Sequence, residues 1–110
     1  MTDKVFFDNK KYEWEEVAPG VTRQITGYNN DIMMVLVKFE EGAIGSAHSH
    51  PHTQSTYVES GEFEVQMGDK FQLLKKGDCF IALPDVVHGV VCKSAGTLVD
   101  VFSPVREDFL

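Results

Sequence analysis

"GAIGSAHSHPHTQSTYVESG", residues 42–61, holds His48, His50 and His52, three of only four histidines in the chain. Side chains alternate faces along an extended backbone, so His48 and His50 project to one side if this stretch is a strand. Two neutral imidazoles on one face are half of a site for a first-row divalent metal. Pro51 breaks the alternation before His52, which reads as a loop residue and not a ligand. The bland alternative is a pair of surface histidines, and the rest of the chain decides between the two.

Outward from this stretch the pattern is all-β. No long amphipathic helix is visible. Short apolar runs are broken by turn residues about every ten positions, as in sandwiches and barrels. "VTRQITGY" (21–28) and "DIMMVLVKFE" (31–40) read as strands around an Asn29-Asn30 turn. "EFEVQM" (62–67) alternates, with Phe63, Val65 and Met67 on one face. Gly68-Asp69 turns it into "KFQLLKK" (70–76), because glycine takes the positive φ that the turn requires. Gly77-Asp78 leads into "CFIAL" (79–83), which is apolar on both faces and so reads as a central strand. "HGVVCK" (88–93) and "TLVDVF" (97–102) complete the set.

His88 is the fourth histidine. It follows the strand-breaking Pro84 and opens a strand, where ligands often gather; a buried, hydrogen-bonded structural histidine is the other reading. Gly42, His48, His50, Gln54 and Gly61 carry the spacing of the first cupin motif, with Gln where Glu is usual. Gly77, Pro84 and His88 resemble the second, without its internal glycine. This resemblance implies a double-stranded β-helix, the jelly-roll barrel of the cupins, in one domain over 1–110. Its barrel core is expected over 32–104, with 1–20 as an N-terminal segment at a dimer interface. It also implies one divalent transition metal (Ni, Zn, Mn, Fe or Co) held by His48, His50, Gln54 and His88. Three imidazoles and an amide leave the +2 charge unreduced, which suits Lewis-acid chemistry or anion capture. Gln54 could instead hydrogen-bond a loop.

"TLVDVFSPVRED" (97–108) places Asp100 on one face with Leu98 and Phe102. A carboxylate in apolar company tends to have its pKa raised, which makes it a candidate acid or base. The structural alternative is exposure at a barrel mouth, or pairing with Arg23 or Arg106. The ending "LVDVFSPVREDFL", with "DIMMVLVKFEEGAIG" and "HSHPHTQ", is similar to the small KdgF-type cupins of pectin and alginate breakdown. Those proteins linearise 4,5-unsaturated uronates. The resemblance implies Asp100 and Arg106 as catalytic residues, and Phe102 with Arg106 as substrate-binding residues. The competing readings are another metal-dependent cupin enzyme, such as a dioxygenase or sugar isomerase, and a non-catalytic sugar-binding module.

Composition limits the partners. With 110 residues, 43% hydrophobic and 25% charged, the chain has the make-up of one globular domain. A net charge of −7 argues against nucleic acid and anionic membranes. An anionic sugar must therefore be drawn by a local metal or arginine. No run of eighteen apolar residues occurs, and the N-terminus lacks an apolar signal core, so a cytoplasmic location is expected. Cys79 and Cys92 are expected to be reduced core residues. The aromatic-rich segment "KVFFDNKKYEW" (4–14) suggests pairing into a homodimer.

Overall fold

The computed structural model describes residues 4–110; the first three residues of the expected N-terminal segment lie outside this range. Ten strands run β1 Glu15–Ala18, β2 Val21–Tyr28, β3 Met33–Phe39, β4 Ile44–His48, β5 Thr53–Val58, β6 Glu62–Met67, β7 Lys70–Lys75, β8 Cys79–Ala82, β9 His88–Ser94 and β10 Gly96–Ser103. Short 3₁₀ turns occupy Asn9–Lys11 and Glu107–Phe109. The strands form two antiparallel sheets, ordered β1-β2-β3-β10-β5-β8 and β4-β9-β6-β7. This is the expected all-β jelly roll. Among the described residues, no helix is long and apolar enough to cross a membrane.

Alternation sets which residues enter the space between the sheets. On β6, Phe63 and Val65 are buried. Phe63 meets Phe39 edge-on at 5.2 Å, the geometry aromatic quadrupoles favour. Burying a side chain of this size contributes about 1.5–3 kcal/mol. Across the larger sheet, register stacks three inward rows. The first runs Arg23, Val37, Leu98, Val58; the second Ile25, Val35, Asp100, Thr56, Phe80; the third Met33, Phe102, Gln54, Ala82. Most of these positions are apolar. Arg23, Asp100, Thr56 and Gln54 are the exceptions.

Two local features differ from the sequence reading. "CFIAL" was expected at the centre of a sheet, yet β8 lies at an edge. Its apolar residues on the outer face, Cys79 and Ile81, are exposed, while Ala82 is buried. Continuous apolarity here reflects an uncovered outer face, not burial on both sides. Cys92 is buried as expected, and both cysteines are free. Residues 15–18, inside the N-terminal segment, add β1 to the larger sheet. Upstream of it the chain is tied down by Gln24, whose amide donates to the carbonyls of Asn9 at 3.0 Å and Tyr12 at 2.9 Å.

Close approach at one corner requires glycine. Gly61 has φ +82°, and a Cβ there would lie 2.4 Å from the Ser94 carbonyl oxygen. The turn from β5 into β6 passes so near the end of β9 that no side chain fits.

Candidate metal centre

β4 ends and β9 begins with a histidine, and the register pairs these two residues directly, His48 opposite His88. Gly89 permits this. A Cβ on it would stand 2.9 Å from the Gly45 carbonyl oxygen, so its bare backbone lets β4 lie close against β9. His50 sits just past the end of β4, and Gln54 is on β5. The ligand atoms of His48, His50 and His88 lie within 4.8 Å of one another. The Gln54 Oε1 is 2.9 Å from His50 Nε2 and 3.1 Å from His88 Nε2. The spacing argument therefore holds for convergence, although the strand ends at His48.

The hydrogen bonds around the rings decide what this cluster can hold. Nδ1 of His48, His50 and His88 lies 2.8, 3.0 and 2.9 Å from the carbonyl oxygens of Ser46, His52 and Val86. A carbonyl only accepts, so each Nδ1 is assigned the ring hydrogen and each neutral Nε2 keeps a lone pair. The Gln54 amide is also fixed. Its Nε2 donates to Thr56 Oγ1 at 2.8 Å and to Asp100 Oδ1 at 3.3 Å, turning Oε1 toward the imidazoles. Acceptor lone pairs thus face one another without a proton between them, an arrangement that a cation satisfies. Burial holds the pKa of His50 and of His88 below the ordinary value, and neighbouring Arg106 and His48 add to the effect. Both rings stay neutral at neutral pH, as metal binding requires. The three histidines fit a divalent metal, with Gln54 as a fourth oxygen donor.

Asp100 lies next to this cluster and not in a salt bridge. Thr56 Oγ1 donates to its Oδ1 at 2.6 Å, alongside the Gln54 bond to the same oxygen. Among the described residues, Arg23 pairs with Glu15 at 3.1 Å and Arg106 with Asp108 at 2.8 Å. Asp100 is partly buried, and the surface it keeps faces a cavity. Burial pushes its pKa up to about 6, against the lowering effect of the Thr56 and Gln54 hydrogen bonds. A carboxyl so placed can hold or release a proton near neutral pH.

His48, His88, Gln54, Asp100, Phe102 and Arg106 all line one cavity of about 160 Å³ between the sheets. That volume is ample for several waters or a small polar molecule. Phe102 is buried, 5.7 Å from the His50 ring. The Arg106 guanidinium is 5.0 Å from the Phe102 ring and 4.2 Å from Phe109. Its Nε and Nη2 both donate to Asp108, at 3.0 and 2.8 Å, so this fork is engaged within the chain. His52 lies outside the cluster, as expected.

Three residues escaped the motif reading, Arg23 and Phe109 on the cavity wall and Thr56 buried beneath Asp100. Thr56 follows Gln54 by two positions on β5, so alternation alone puts it on the ligand face. Arg23 lies between Val21 and Ile25 on the inward face of β2, where a charge is as anomalous as at Asp100. Phe109 carries no sequence signal, since it reaches the cavity through the 3₁₀ turn at Glu107–Phe109.

Comparison with known proteins agrees with this fold. The Cupin domain family matches residues 35–102. The pectin degradation protein KdgF of Dickeya dadantii is 43% identical over 107 residues, covering 96% of this chain and 97% of its own. The structure of KdgF from Halomonas sp. superposes with a TM-score of 0.91 at 39% identity, covering 97% of this chain and 99% of that one. A RmlC-like cupin from Shewanella frigidimarina superposes at 0.93, with 41% identity over 98% of this chain and 97% of its own. Bacillus subtilis oxalate decarboxylase, at 16% identity and a TM-score of 0.82, shares the fold alone.

Proposed function

The chain belongs to the cupin family, and we propose that it converts cyclic 4,5-unsaturated uronate monosaccharides into linear, ketonised forms during pectin or alginate breakdown. The observation that carries this reading is Gln54, whose Oε1 faces the Nε2 atoms of His50 and His88 while its Nε2 donates to Asp100, beside a cavity that His48, His88 and Asp100 line. Similarity to KdgF proteins over nearly the full chain supports it.

The reaction needs only proton movements. Loss of the C1 hydroxyl proton breaks the C1–O5 bond, freeing an aldehyde at C1 and an enolate at C5. Protonation of the enolate at C4 then gives a ketone at C5, so the proton taken from C1 balances the one delivered to C4. A divalent metal held by His48, His50, His88 and Gln54 supplies Lewis-acid stabilisation of negative charge developing on oxygen. Nickel, zinc, manganese, iron and cobalt all suit this donor set. Asp100 takes the C1 hydroxyl proton and returns a proton at C4. Thr56 and Gln54 both bond Oδ1, which leaves Oδ2 for the transfer. Phe102 packs on the sugar, and Arg106 attracts the carboxylate. The protein acts as a cytoplasmic homodimer.

The test is direct. Purified, metal-loaded protein is incubated with 4,5-unsaturated galacturonate, and the conjugated-alkene absorbance is followed. Loss faster than in a protein-free control is expected. No acceleration with any of the five metals would refute the proposal.

A further inference from the structure

We propose that Arg23 binds the substrate carboxylate, sharing with Arg106 a cationic wall on the side of the cavity lined by Phe109. This rests on the uronate reading above and adds a specificity residue to it. Three observations carry it. First, Arg23 occupies a core-facing row whose other members, Val37, Leu98 and Val58, are buried and apolar. A cation placed there gives up hydration and needs a compensating partner. Second, its compensation is incomplete. Nη2 reaches Glu15 at 3.1 Å, but Glu15 is largely exposed, and the buried Nε–H has no hydrogen-bond partner. Third, Arg23 and Arg106 lie over the same ring, at 3.9 and 4.2 Å from the centre of Phe109. Each guanidinium has one carboxylate of the chain, Glu15 or Asp108, so the pair forms a cationic wall that is only partly neutralised where Glu15 is exposed. The Arg106 fork is already engaged by Asp108. Arg23 lines the cavity and makes one side-chain hydrogen bond, through Nη2 to Glu15, so its guanidinium keeps N–H groups for an incoming carboxylate, in a chain whose net charge of −7 repels anions elsewhere.

The experiment has two arms. In the zinc-loaded wild type, the Arg23 Nε–H resonance, assigned by its loss in Arg23→Lys, is followed by nitrogen-15 NMR. It should shift on adding D-galacturonate and stay fixed with neutral D-galactose. In parallel, Arg23→Gln should raise KM for unsaturated galacturonate about tenfold or more, as expected for losing a charge-assisted hydrogen bond. Its kcat and zinc content should change little. An unmoved resonance with saturating galacturonate overturns the proposal, whether or not Arg23→Gln folds, as does a folded Arg23→Gln with wild-type KM. Failure of the function above reads differently: the wild type would then shift the resonance but leave the alkene intact.

Discussion

Asp100 and Gln54 share a 3.3 Å hydrogen bond, so one side chain orients the amide beside the histidine cluster and is also the proton carrier in the proposed reaction. These duties separate by mutation. Asp100→Asn keeps the shape and can still accept from Thr56, but loses the proton acceptor. It should retain its metal and its fold while turnover falls about a hundredfold or more. Melting temperature, metal content and turnover measured on one preparation check this. A destabilised but active variant would make Asp100 a structural residue. His50→Ala removes a buried imidazole whose Nε2 faces Gln54. Metal bound per chain should drop well below wild type by elemental analysis, and equal content would remove His50 from the site.

At the scale of elements, glycines and turns hold the strands that carry these residues. Gly61→Ala would place a methyl 2.4 Å from the Ser94 carbonyl at a positive φ. The expected cost exceeds about 1 kcal/mol and is read as a lower denaturation midpoint. The terminal 3₁₀ turn is held by Asp108 on Arg106, and the Arg106 hydrogen bond lowers the Asp108 pKa. A carboxylate with a depressed folded-state pKa adds stability above its unfolded value and loses it as pH falls through the folded one. Asp108→Asn should therefore be less stable than wild type at pH 7, with the gap closing in acid. Asp108 is 59% exposed, so screening limits the effect to about 1 kcal/mol or less. Alternation made β6 and the β2–β3 hairpin legible in the sequence, because one face of each is buried. It misplaced β8, because composition cannot distinguish a covered face from an open one. Motif spacing located His48, His50, Gln54 and His88. Alternation from Gln54 also encodes Thr56, whereas Arg23 and Phe109 reach the cavity through cross-strand register and a terminal turn, which spacing along one strand does not encode.

For the whole molecule, the larger sheet keeps apolar groups on its outer face, with Met34, Tyr57 and Ile81 41%, 47% and 51% exposed. Val5 and Phe6 in the N-terminal segment are more exposed still, at 75% and 85%. Apolar area of this kind is commonly covered by a partner. The homodimer proposal predicts twice the chain mass by light scattering at micromolar concentration, and a monomer mass would refute it.

In the proposed reaction this cavity opens an unsaturated uronate ring and delivers a proton to C4. Proton NMR of 4,5-unsaturated galacturonate with the metal-loaded protein in heavy water reads both events at once. The alkene signal at C4 should disappear, an aldehyde or its hydrate should appear at C1, and solvent deuterium should enter at C4, all far slower with Asp100→Asn. An alkene signal that persists unchanged beside a folded, metal-loaded protein would contradict it.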